Sequence, residues 1–96
     1  MATVRWSEQA LDDLDAVCLF IARDSPLAAE MFARRSVEAA QSLERFPQSG
    51  RVVPELGQPD IRELVVGSYR LIYSLVGEQV FVLTLHHGAR LLRDIP

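Results

Sequence analysis

The sequence predicts an α+β fold, β-α-α-β-β-β: a short strand, two antiparallel helices and a three-stranded meander, with the helical hairpin on one face of an antiparallel sheet. Two observations predict it. The spacing of apolar residues changes from steps of three and four to alternation near residue 60, and a segment rich in Pro and Gly, residues 47–60, separates the two regimes. With 96 residues, 49% apolar and 24% charged, the chain is expected to be one small soluble domain over residues 1–96. A domain of that size buries about 65% of the surface its unfolded chain exposes, enough for one core but not for a roomy cofactor cavity. No cofactor is expected.

Thr3 to Trp6 alternates, with Val4 and Trp6 on one side, and Ser7 and Glu8 then supply a cap and an acidic first turn. A strand feeds a helix there. Leu11, Leu14, Cys18 and Ile21 recur at helical spacing, with Ala10 and Val17 widening the stripe, to about Arg23. Cys18 lies within that stripe and is expected to be a small core residue rather than a reactive thiol. Ser25 and Pro26 start a second helix, since Pro is tolerated where its missing N–H costs nothing. Phe32, Ser36, Ala40 and Leu43 carry it until Phe46 and Pro47, and so short a connection makes the pair an antiparallel hairpin. After the loop, in which Arg51 to Glu55 is a candidate edge pairing, residues 61–66, 69–76 and 79–86 read as strands. Gly67-Ser68 and Gly77-Glu78 turn the chain between them. Leu14, Cys18, Phe32, Leu43, Leu71 and Tyr73 are expected in one core, and residues 91–96 form at most a turn or a pairing segment.

No uncharged stretch approaches the ~20 residues a membrane-spanning helix needs, and Met1 to Trp6 lacks the apolar run of a secretion signal. The cytoplasm is the expected location. One cysteine excludes an internal disulfide and a multi-cysteine zinc site, and no metal is expected. All ten basic residues are Arg; thirteen acids bring the net charge to -3, which predicts no bulk attraction to nucleic acid. The first 49 residues hold five Arg against eight acids, the remainder five against five. An all-arginine set suits bidentate recognition of phosphate or carboxylate, and also follows from coding bias.

Alternation puts Arg70, Ile72, Ser74 and Val76 on one face of the middle meander strand, with Tyr69, Leu71, Tyr73 and Leu75 facing the core. Arg70 is then expected to project from an open sheet face, near Arg62 on a neighbouring strand and the His86-His87-Gly88-Ala89-Arg90 run at the end of the last. Such guanidiniums can hold a phosphate or stabilise its transition state but cannot act as a base. Proton transfer would fall to His86 or His87, or to a perturbed Tyr69 or Tyr73. Neither a Gly-rich phosphate loop, an HExxH helix nor a GxSxG elbow is present.

PQSGRVVPEL at 47–56, IRELVVGSYRLIY at 61–73 and LHHGAR at 85–90, with the opening VRWSEQALDDL and the element order, resemble the RelE/ParE superfamily of type II toxin-antitoxin toxins. The resemblance implies neutralisation by a cognate antitoxin in a hetero-oligomer. It implies one of two targets: ribosome-bound mRNA, cut without metal by RelE-like members, or DNA gyrase, poisoned by ParE-like members. An inactive member that only binds its antitoxin is a third possibility. Carried over by residue, the candidate catalytic set is Arg62, Arg70, His87 and Arg90. Target contacts are expected at Arg51, Arg70, Arg90 and Arg93, and antitoxin contacts at Leu11, Leu14, Phe32 and Ile72. No Lys stands where the ribonucleases concentrate positive charge, no Tyr follows Arg90, and the tail adds only Arg93. That pattern, with the net charge, favours the gyrase poison over the ribosome-dependent enzyme.

Overall fold

The computed structural model describes residues 1–90. The expected tail segment, and Arg93 with it, lies outside the described residues. The elements are β1 (Thr3–Trp6), α1 (Glu8–Ala22), α2 (Pro26–Ser42), β2 (Arg51–Val52), β3 (Ile61–Val66), β4 (Tyr69–Val76) and β5 (Gln79–His87), in a five-stranded sheet of order β1-β5-β4-β3-β2. Among the described residues no helix is long and apolar enough to cross a membrane.

Both helices begin as their sequences dictate. Ser7 Oγ accepts the Ala10 N–H at 3.0 Å while donating to the Leu83 carbonyl, so the cap also pins α1 to β5. Ser25 accepts the Ala28 N–H at 3.1 Å, with Pro26 at the first helical position. A second tie comes from Asp13, whose Oδ2 accepts both the Thr84 hydroxyl and the Leu85 N–H. The helices cover one sheet face: Phe32, Ala40 and Leu43 bury against Leu71, Tyr73, Val80, Val82 and Leu85, with Leu14, Val17, Cys18 and Ile21 packed at the margin. The alternation along β4 therefore places its core face as the sequence predicts.

Two expectations need correction. The sheet is mixed rather than antiparallel, because β1 runs parallel to β5; the helical hairpin returns the chain, and β1 closes the sheet edge beside the last strand instead of pairing within the meander. The face away from the helices is not open. Val53 and Ile72 are fully buried there, with Leu56, Ile61 and Leu83 packed around them, so the loop after β2 folds across that face. Its composition marks it as a loop, but Val53 and Leu56 give it an apolar underside that settles on Ile72. β5 carries one extra residue where Ile72 pairs with Thr84 but Tyr73 pairs with Val82, and the additional Leu83 packs with that second cluster.

Tyr73 anchors the start of the loop from inside the core. Its hydroxyl accepts the Gly50 N–H at 3.0 Å and donates to the Pro47 carbonyl at 2.7 Å. Gly50 has to be glycine: a Cβ there would stand 2.7 Å from both the Glu63 carbonyl oxygen and the Tyr73 hydroxyl. Burial pushes the Tyr73 hydroxyl above the usual tyrosine range, opposed by the Gly50 hydrogen bond and by Arg62.

Candidate functional site

The arginines predicted to converge do not share a face. On β3, Arg62 alternates with Leu64 and Val66, which face the helices, and it pairs with Tyr73; Arg70 pairs with Val65 and lies on the loop-covered side. Arg62 is absorbed in holding the loop. Its Nε donates to the Pro59 carbonyl at 3.0 Å, and its Nη1 to the carbonyls of Gly50 at 2.9 Å and Gln48 at 3.3 Å.

Arg70 departs further from expectation, since it is buried rather than projecting. Its Nη1 and Nη2 meet the two oxygens of Glu55 at 2.7 Å each, fork to fork. Nε and Nη2 reach Glu63 Oε1 at 2.8 and 2.6 Å, and the second Nη1 hydrogen approaches the Arg90 carbonyl at 3.4 Å. Four of the five guanidinium donors thus make hydrogen bonds, and Nη2 is also in ion-pair contact with Glu63. Glu63, fully buried, is shared with Arg51, whose Nε stands 2.6 Å from Oε2 while the rest of that side chain reaches solvent. The Glu55 hydrogen bonds, then those of Glu63, raise the Arg70 pKa against the opposing cost of burial, fixing its charge. A bare cation on this face would cost several kcal/mol; two carboxylates for two guanidiniums make the burial tolerable.

The histidine cluster sits at the end of β5. His86 lies on the Arg70 side and donates from Nε2 to the Arg90 carbonyl at 3.1 Å, assigning its proton by that bond. His87 turns toward the helices, its ring edge-on to Tyr69 at 5.2 Å, and Tyr69 is in turn edge-on to Phe32 at 5.3 Å. The Ala89 N–H donates to His87 Nδ1 at 3.1 Å, so the neutral ring carries its proton on Nε2. That nitrogen is a donor, not a base. Gly88 donates to the Ser68 carbonyl at 2.8 Å and locks the turn against the β3–β4 connection. Arg90 is exposed on the rim of a cleft of about 550 Å³ shared with Asp13, Tyr69, His86 and His87. Of the candidate catalytic set, then, the structure brings Arg90 near His87, sets Arg70 below in a buried ion network, and leaves Arg62 on the other side of the sheet.

The expected partner-binding residues also divide. Leu11 is half exposed, Leu14 lies at the core margin and Phe32 is buried beneath the helices. Ile72 is fully buried on the opposite face and presents no surface, which removes it from a docking patch. A more continuous apolar hollow of about 400 Å³ opens between the helices and the β3–β4 turn, lined among others by Phe20, Ile21, Met31, Phe32 and Tyr69, with Arg35 at its edge. Burial, then the neighbouring Asp15, pushes the Cys18 thiol pKa up, away from reactivity.

Glu55 and Glu63 escaped the sequence reading. One signal was available: Glu63 interrupts the apolar-rich strand Ile61–Val66, where a buried carboxylate requires a cation or donors beside it. Nothing local pointed to Glu55.

The family model described as ParE toxin of type II toxin-antitoxin system, parDE, matches residues 4–92. A curated protein of Caulobacter vibrioides named Toxin RelE2 is 40% identical over 92 residues, spanning 95% of this chain and 100% of its own length. A solved structure titled chromosomal ParDE TA system from P. aeruginosa superposes with a TM-score of 0.73 at 21% identity, covering 91% of this chain and 96% of that one. That likeness concerns the fold.

Proposed function

We propose that this chain, which belongs to the ParE toxin family of type II toxin-antitoxin systems, arrests growth by inhibiting DNA gyrase without itself catalysing a reaction. The observation that carries this reading is the internal pairing of Arg70. A ribonuclease of this fold would need that guanidinium on the scissile phosphate, yet its planar fork is matched to the Glu55 carboxylate and its Nε to Glu63 within the chain. Acid-base chemistry fares no better: His87 Nδ1 already accepts the Ala89 N–H, and Tyr73 is buried with a raised pKa. The net charge of -3 adds to this, since docking on rRNA draws on a field of positive charge that the chain lacks. A non-catalytic inhibitor requires none of these. Arg51 and Arg90, both exposed cations, are the groups we assign to contact with gyrase.

The family brings a cognate antitoxin as partner. We place its apolar segment in the hollow lined by Phe20, Met31, Phe32 and Tyr69, where Phe20 and Met31 remain exposed in the free chain. The test of function is supercoiling by purified gyrase with added toxin, run beside ribosome-dependent cleavage of mRNA. Loss of supercoiling with intact message supports the proposal; codon-specific cuts with unaffected gyrase would replace it by the ribonuclease reading. No effect in either assay would leave an inactive antitoxin-binding member.

A further inference from the structure

We infer that Arg70, with Arg51 and Glu63, forms a carboxylate-binding site that the free chain fills with its own Glu55 and that a protein partner can fill instead with an Asp or Glu side chain. The two carboxylates around Arg70 are held differently. Glu63 projects from β3 with no exposed surface and links both arginines, so it belongs to the fixed frame. Glu55 comes from the loop between β2 and β3 and keeps 18% of its side chain accessible. Without Glu55 the remaining trio, two guanidiniums and one carboxylate, has a net charge of about +1 on a largely buried face, a state that draws in an anion.

The shape of the site selects the anion. Nη1 and Nη2 of Arg70 each meet one oxygen of Glu55 at 2.7 Å, the planar two-point match of guanidinium and carboxylate. An approach exists as well. A cleft of about 420 Å³ reaches Arg51, Glu63 and Arg70 from solvent between Val65 and Ser68 on one side and Gly88 and Ala89 on the other. Val65, 70% exposed at its mouth, offers an apolar contact for the partner residue beside the acid. The chain's overall negative charge disfavours a nucleic acid as the source of the anion, so the commitment is to a protein. Exchange at Arg70 has a mechanical consequence. It breaks the fork between Arg70 and Glu55 and loosens the loop, whose amides are otherwise held by bonds from Val53 N to Ile61 O and from Leu56 and Gly57 N to Val53 O. Glu55 thereby acts as an internal competitor that any acidic partner must displace. The inference shares the Arg70 network with the gyrase reading but is tested apart from it: exchange is read on the isolated chain, and only a preference for phosphate would weigh against both.

The experiment takes the full chain and its Glu55→Ala variant, with sodium acetate as the probe and sodium phosphate and sodium chloride at equal ionic strength as the other arms. A saturable rise in the thermal midpoint of Glu55→Ala with acetate is expected, recovering much of the midpoint lost by the substitution. The rise should vanish when Arg70→Lys, which lacks the planar fork, is added. In the parent, concentrated acetate should speed amide hydrogen exchange at Val53, Leu56 and Gly57, while chloride does not. If Glu55→Ala fails to fold, Glu55→Gln keeps the side-chain volume, and the NMR shift of the Arg70 Nε–H under the same salts gives the readout. A stronger response to phosphate than to acetate would assign the site to a phosphate-bearing partner and overturn the carboxylate assignment. Absence of an acetate response in the variant would reduce Glu55 to a structural staple, and unchanged exchange in the parent would overturn displacement.

Discussion

The two faces of β4 are built from opposite kinds of chemistry. Toward the helices, Leu71 and Tyr73 enter an apolar core; toward the loop, Ile72 is accompanied by Arg70 and, from the adjacent strand, Glu63. The first face gains its stability from area removed from water, which any well-packed apolar set supplies. The second owes its integrity to matched charges, and a single unmatched member turns it from neutral to costly. In place of an open cationic surface for phosphate, this face carries an internally paired ion network, and the difference bears directly on function.

The charged face is most sensitive at Glu63. Glu63→Ala should lower stability by about 3–5 kcal/mol by leaving two guanidiniums around one remaining carboxylate, measurable as a shift in the denaturant midpoint at unchanged slope. Joint replacement of Arg70 by Met and Glu63 by Leu should recover most of that loss, because an apolar pair needs no charge balance. If the joint variant were as unstable as Glu63→Ala, the charge-matching account would be wrong. On the helix face, Leu71→Ala should cost about 2–5 kcal/mol through its cavity, and no second polar substitution should restore it.

These two faces were unequally legible in the sequence. Alternation along 69–76 was enough to assign Leu71 and Tyr73 to the core, and Ser7, Ser25 and Pro26 marked both helix starts, because caps and periodicity are local signals. The register that sets Arg62 beside Tyr73 and away from Arg70 follows from the same alternation, once β3 and β4 are paired. The partner of Arg70 could not be read that way. Glu55 lies 15 residues away in an irregular loop, and its approach depends on Val53 and Leu56 folding back onto Ile72. β1 beside β5 was equally hidden, since parallel pairing across most of the chain leaves no local mark.

A smaller effect is expected at Tyr73, a core residue with polar ties to the loop. Tyr73→Phe should cost about 1–3 kcal/mol by leaving the Gly50 N–H and Pro47 carbonyl without their partner. The sign with pH is set by the raised pKa: the native hydroxyl keeps its proton where the unfolded chain has lost it. Stability is therefore complete below pH about 10 and falls as pH rises through the native value. Thermal melts from neutral to alkaline pH should show that fall in the parent and a flatter profile in Tyr73→Phe. At the exposed hollow, Met31→Arg should change stability by less than about 0.5 kcal/mol while weakening capture of the antitoxin in a pull-down with the product of the neighbouring gene.

The smallest expected effect is also the most decisive. His87 is the candidate proton carrier of a ribonuclease and has no task in a non-catalytic inhibitor. Growth arrest should be measured after induction of the parent and of His87→Ala at matched protein levels, with plasmid supercoiling and message integrity followed in the same cultures. His87→Ala is expected to arrest growth as the parent does, with supercoiling lost and messages intact. A His87→Ala protein that is folded yet harmless, beside a parent that cuts ribosome-bound mRNA, would contradict it.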